Sequence, residues 1–210
     1  MQNVAPGASY YTEGMTKPPS LRERTRRAVH AEITATALRL FREHGFEATT
    51  VDQIAAAAGI SRRSFFHYFA SKEDLVMGDT VALGAAVRDA LTARPADEAA
   101  WPAIRAAFLV LVPADDGDLA EQLALARIHH DAPSLRASLL EKHLRWQELL
   151  APDIQRRLGL PATDTPDPRA RAFVAAALAA LDAAVDAWAA SNGTADPVQV
   201  FDEAIAVLRA

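Results

Sequence analysis

Residues 49–72, TTVDQIAAAAGISRRSFFHYFASK, hold two short helical patterns that meet across a glycine, the second opening on adjacent arginines. Thr50 is placed to cap the first helix: its hydroxyl can accept from the amide three residues on while Gln53 reaches back, a capping box. Val51, Ile54, Ala55 and Ala58 then share one apolar face. Gly59 stands where that helix must end, since glycine takes left-handed backbone at no steric cost, and Ile60 is set to bury itself in the corner. Ser61 is a second N-cap. The alanines at 55–58 keep the first helix thin, so the second can cross it closely at a steep angle. The expected unit is a helix-turn-helix.

Upstream, the pattern is helical from Leu21, with Val29, Ile33, Ala37, Leu40 and Phe41 on one face and Gly45 at the close. Arg22, Arg24, Arg26 and Arg27 crowd its first turns; alone they would be a solvated helix end, but this near a helix-turn-helix they fit phosphate binding. Residues 1–19, with Pro6, Gly7, Gly14, Pro18 and Pro19 and no periodicity, are expected to be a disordered leader, with Met15 an alternative start.

Downstream, Ser71 caps a helix expected to continue through Leu75, Val76, Val81, Leu83 and Val87 to about Ala93, joining head to body. Further helices are expected over 101–112, 115–131, 134–159 (kinked or split by Pro152), 169–191 and 197–209, with a proline-rich loop at 160–168. The last two helices carry more apolar and alanine surface than a terminal hairpin needs, and the excess is assigned to a dimer interface. No alternating stretch is long enough for a strand. The predicted class is all-α, with a three-helix DNA-binding head at 20–74 and a helical bundle at 75–210 for ligand binding and dimerisation.

The net charge of −5 argues by itself against nucleic acid, so its distribution decides. Between 17 and 74 ten Lys or Arg face seven Asp or Glu; from 75 onward twelve face nineteen. A basic head on an acidic body suits a DNA reader with a separate sensing domain. Half the residues are apolar, enough for a sizeable core, and no signal-like or membrane-length apolar run was found. Without cysteine there is no disulfide framework or thiolate metal site, which fits a cytoplasmic protein.

The segment from Arg22 to Leu75 resembles the DNA-binding domain of the TetR family of bacterial regulators. The likeness is carried by Phe41, Gly45, Phe46 and Thr49-Thr50, then Ile54, Ala55, Ala58, Gly59, Ile60 and Ser61, then Tyr68-Phe69 and Ser71-Lys72-Glu73-Asp74-Leu75. It implies an all-helical homodimer that binds a palindromic operator on double-stranded DNA, usually represses, and lets go when a small molecule enters the body. Phe66 departs from the family, which often has a phosphate-touching tyrosine there, so phosphate contact should fall on Thr50, Tyr68 and Lys72. The stretch RRSFFHYF also resembles a subgroup, common in high-GC bacteria, in which acyl-CoA-like ligands are suspected.

The candidate DNA-binding residues are Thr50, Ser61, Arg62, Arg63, Ser64, His67, Tyr68 and Lys72. With Phe65 and Phe69 inward, Arg62, Arg63, Ser64 and His67 face out, and an arginine can bond both edge acceptors of guanine. Lys72, at the start of the next helix, would add its charge to that helix's amides at a phosphate.

For an effector the candidates are Trp101, Arg105, Phe108, Arg127, His130 and Trp146, a mostly apolar set with few cations; a core role is the plainer account of its aromatics. His129, His130 and His143 lack the convergent spacing of a zinc site, and Asp182 with Asp186 shares one helix face without a nucleophile. No catalytic residue, metal or cofactor is expected. The leading expectation is a ligand-released repressor; the alternatives are a constitutive dimeric DNA-binding protein and, well behind, an enzyme in the helical body.

Overall fold

The computed structural model describes residues 20–112 and 116–209, with no side chains described for 116–121. The expected leader at 1–19 lies outside the described residues. Ten α-helices follow in order among those described: α1 Leu21–His44, α2 Val51–Ala57, α3 Arg62–Tyr68, α4 Lys72–Met77, α5 Thr80–Thr92, α6 Ala100–Phe108, α7 Asp116–Asp131, α8 Leu135–Arg157, α9 Pro168–Ala190 and α10 Pro197–Leu208. A 3-10 turn, Leu109–Leu111, extends α6.

Local chemistry sets most of these boundaries. Ser20 and Glu23 form a capping box on α1, and Thr50 and Gln53 form another on α2, where the Gln53 amide donates to Thr50 Oγ1 at 3.2 Å and Gln53 Oε1 accepts from the Thr50 amide at 2.8 Å. After α2 the chain turns at Gly59, φ +67°, and the Ile60 amide donates back to the Ala55 carbonyl at 2.9 Å. Ser61 and Ser71 cap α3 and α4.

One expectation is corrected and a second is narrowed. The joining helix at 71–93 is two helices: Gly78 takes φ +65°, and Asp79 Oδ1 accepts from the Ala82 amide at 2.9 Å to start α5 afresh. Pro152 does not split its helix, for α8 runs through it unbroken. Proline removes one amide donor and crowds the carbonyl four residues back, but buried Ala151, Asp153 and Ile154 hold the segment against its neighbours.

In the body, α9 packs along α8, α7 and α10, and α5 along α6 and α8. Val87, Leu91, Ile104, Phe108, Trp146, Leu150, Ile154, Val174 and Leu178 fill the centre. By length and composition α9 could cross a membrane, but here it is a bundle helix that buries Val174, Ala177, Leu178, Ala180, Ala184 and Trp188. The head has its own cluster around Ile33, Phe41, Phe46, Ile54, Phe65 and Phe69, and that cluster does not end at the head: Leu75 and Val76 of α4, Ile128 and Ala132 of the α7 end, and Leu135 of α8 belong to it. A hydrogen bond crosses the same junction, where the Ser134 amide at the start of α8 donates to Glu47 Oε1 at 3.2 Å.

Candidate nucleic-acid interface

Helix α3 divides sharply by face. Phe65 and Phe69 are buried against the head core, with ring centroids 5.5 Å apart, while Arg62, Arg63, Phe66 and His67 are exposed. The expected orientation is the one found, except that Ser64 is half-buried. A shallow concavity beside it is lined by Val29, Ile60, Arg63, Ser64, Phe66, His67 and Tyr68, bringing α1 and α3 together on one surface.

The sequence-derived candidates fall into distinct roles there. Arg63 and His67 stand on the outer face, and His67 packs edge-on to the half-buried Tyr68 at 5.4 Å. Ser61 and Ser64 hold each other: the Ser64 amide donates to Ser61 Oγ at 3.0 Å and the two hydroxyl oxygens are 2.8 Å apart. Thr50 is exposed at the α2 cap. Arg62 is tied down, with Nη1 3.0 Å from Asp52 Oδ2 of α2 and its guanidinium carbon 5.7 Å from the Phe66 ring centre. Asp52 was not among the sequence candidates; its position in the first turn of α2 was legible, but its partner ten residues on was not.

Lys72, expected at a phosphate, is engaged within the head. Its ammonium donates to the carbonyls of Phe46 at 2.9 Å, Thr49 at 3.2 Å and Glu47 at 3.5 Å, and lies 4.3 Å from the Phe46 ring centre. It fastens the start of α4 to the turn between α1 and α2. The same turn carries Glu47, whose carboxyl is held below its ordinary range chiefly by hydrogen bonding from Ser134. Neither of these contacts has a local sequence signal.

Trp101, Phe108 and Trp146 belong to the one core cluster of the body, and each of the six effector candidates is engaged by a neighbour. Trp101 stacks on Phe173 at 3.9 Å, and buried Phe108 meets Phe201 edge-on at 5.9 Å. Trp146 is buried, with Nε1 donating to the Thr80 carbonyl at 3.0 Å and its indole filling the notch at Gly84. Arg105 is paired with Asp202 at 2.5 Å, Arg127 donates to Asn192, and His130 lies 3.5 Å from Asp186. Asp182 and Asp186 thus face histidines of α8 and α7, with Asp182 Oδ2 3.3 Å from His143 Nε2. Among the described residues no group of three His, Cys, Asp or Glu is arranged to hold a metal.

Comparison with known proteins follows the same division of the chain. Residues 33–77 match the model of the tetR family of bacterial regulatory proteins, and residues 98–210 match that of the MftR C-terminal domain. The regulator TcmR of Streptomyces glaucescens is 35% identical over 75% of this chain and 73% of its own. MftR of Mycobacterium tuberculosis is 33% identical over 67% and 71%. Among solved structures, the fold is shared with the repressor FadR of Thermus thermophilus in complex with lauroyl-CoA (TM-score 0.53, 22% identity, 85% of this chain and 92% of that one). It is shared also with FadR of Bacillus halodurans (TM-score 0.57, 19% identity, 84% and 92%). A helix-turn-helix head with an outward-facing α3, on an all-helical body of this type, makes the chain a DNA-binding transcriptional regulator of the TetR family.

Proposed function

We propose that the protein is a homodimeric repressor that reads a palindromic operator in the cytoplasm and is released from it by a small, mostly apolar ligand. The observation that carries the DNA half is the outer face of α3, where Arg63 and His67 stand clear while Arg62, Ser61 and Ser64 are held by neighbours within the head. Arg63 then supplies base discrimination, and Arg22, Arg24, Arg26 and Arg27, all exposed on the first turns of α1, supply phosphate contacts with Thr50 and Tyr68. Two heads on a two-fold axis address half-sites about one helical turn apart or a multiple of it.

What supports ligand release is the family, together with the lauroyl-CoA bound by the Thermus FadR of the same fold. Movement of α7 or α8 reaches the head through the Glu47–Ser134 bond and the packing of Ile128, Ala132 and Leu135, and so alters the separation of the two reading helices. A ligand must prefer the released form; shifting 99:1 to 1:99 takes roughly 5.5 kcal/mol of preference. A constitutive regulator is the second reading, favoured by the way Trp101, Phe108 and Trp146 are each packed against separate partners.

The test is a binding titration on a selected operator and on random duplex at several salt concentrations, with and without medium-chain acyl-CoA. Affinity should fall steeply with salt, and Arg63→Ala should cost about 1–3 kcal/mol on the operator and relax its sequence preference. Equal affinity for operator and random DNA would remove the specific-regulator reading; operator affinity indifferent to ligands that calorimetry shows to bind would leave the constitutive one.

A further inference from the structure

A group of basic side chains inside the body is without its acceptor. Lys142 of α8 is half-buried, its ammonium 5.3 Å from the Trp146 ring centre, and among the described residues no carboxylate lies within ion-pair distance of it. The next residue, His143, buries Nε2 completely; Asp182 Oδ2 is 3.3 Å away, but the geometry makes no hydrogen bond and the atom has no other partner. His129 of α7 feels the charges of Lys142, Asp182 and Asp186, and hydrogen bonding with the Val76 backbone of α4 works against the effect of its burial. His130 is turned outward to Asp186. Burial lowers the proton affinity of both the Lys142 ammonium, against the pull of Asp182, and the His129 imidazole, which the Lys142 charge lowers further.

A half-buried ammonium without a carboxylate and a buried imidazole nitrogen without a hydrogen bond, both within the field of Asp182, are costly to maintain, because each has left water without gaining a full partner. An acceptor arriving from outside removes both deficits at once. We propose that Lys142 and His143 form the polar end of an effector site and that the group they take is a carboxylate on an apolar body. One fixed cation already opposed by Asp182 suits a monoanion and not a phosphate dianion, and the buried Trp146 ring against the ammonium makes its surroundings apolar. The site lies where α7, α8 and α9 meet beneath α4, so its occupancy bears on the helices that pack against the head. This assignment rests on the ligand-responsive reading and gives it a chemical class. It also carries a proton signature: burial lowers His129 most and the Lys142 charge lowers it further, so neutralising Lys142 lets binding take up a fraction of a proton and strengthen as the pH falls below about 6.5.

The experiment is calorimetry of the intact protein with decanoate and, as a neutral counterpart, 1-decanol, in two buffers of different ionisation enthalpy. Decanoate should bind about tenfold more tightly than decanol or better, the usual worth of a hydrogen bond to a charged group. Lys142→Met, which keeps the apolar stem, should erase that difference and the proton uptake, while Lys142→Arg should retain both; circular dichroism checks that each variant is folded. Equal affinities for decanoate and decanol, no binding of either, or decanoate binding undiminished in folded Lys142→Met would overturn the assignment. A parallel operator titration separates it from the reading beneath it. Lys142-dependent decanoate binding that leaves the operator bound keeps the carboxylate site and removes ligand release, whereas equal release by decanol and decanoate keeps ligand release and removes the carboxylate site.

Discussion

Lys72 and Arg157 are cations whose main partners are backbone carbonyls far away in sequence. Arg157 is a buried guanidinium that pairs with Asp153 at 2.8 Å and donates to the carbonyls of Leu91, Arg94, Pro95 and Glu98, so it gathers the connection between α5 and α6. Lys72 does the same for the turn between α1 and α2. A stapled ammonium keeps its partners when DNA arrives and releases no counterion of its own. Lys72→Ala should therefore lower head stability by about 1–2 kcal/mol and weaken operator and random duplex alike, with the slope of log affinity against log salt unchanged. Thermal melts and a salt titration check this, and a slope shallower by about one would return Lys72 to the phosphates. Caps such as Thr50 with Gln53 were legible in the sequence because donor and acceptor are three residues apart. The Lys72 contacts were not, because they span 23 to 26 residues and depend on how α1 meets α4.

Helix boundaries in this chain follow single residues, and the joining segment is the instructive case. The apolar spacing of Leu75, Val76, Val81, Leu83 and Val87 reads as one helix, yet Gly78 followed by Asp79 carried the opposite signal, a left-handed residue followed by an N-cap. Periodicity extended the element across residues whose chemistry ends it. Further along α5, Gly84 is where Trp146 of α8 comes closest. A Cβ there would stand 2.7 Å from Trp146 Nε1, so the indole could not keep both its seat and its bond to the Thr80 carbonyl. Gly84→Ala should cost about 1–3 kcal/mol, despite the better helix propensity of alanine, and should shift tryptophan emission to longer wavelength. A melt at or above the native temperature would show that α5 and α8 can slide apart without loss. The faces that make up the effector candidates were legible helix by helix, but which faces meet is decided by packing, and Trp101, Phe108 and Trp146 ended in separate contacts.

At the level of the whole molecule, two properties depend on how the helices are assembled. The first is acid sensitivity. Burial lowers His129 and His30 below their ordinary value of 6.5, helped by Lys142 and Arg26 respectively, so between the folded and unfolded values the unfolded chain holds more protons and stability rises with pH. Their contribution is complete above about pH 6.5 and is lost as the pH falls through the lower folded values; melting temperatures between pH 8 and 5 should decline in that window, less steeply in His129→Gln. The second is dimerisation. Excess apolar surface marked both α9 and α10, but Ala180 of the alanine-rich α9 is buried in the subunit's own core, so a charge there tests folding and not association. Val207 on α10 is 77% exposed, and Val207→Arg should yield a folded monomer by light scattering if that face meets the partner. An unchanged dimer would move the interface elsewhere on α9 and α10. Finally, the apolar cluster that begins at Ile33 and ends at Leu135 has a consequence for exchanging parts between regulators. A chimera cut after α4 would leave Leu75 and Val76 facing a foreign surface and Glu47 without the amide of Ser134. Transplanting this reading head with its specificity intact therefore requires carrying the corner between α7 and α8 along with it, although that corner lies more than fifty residues beyond the nominal end of the head.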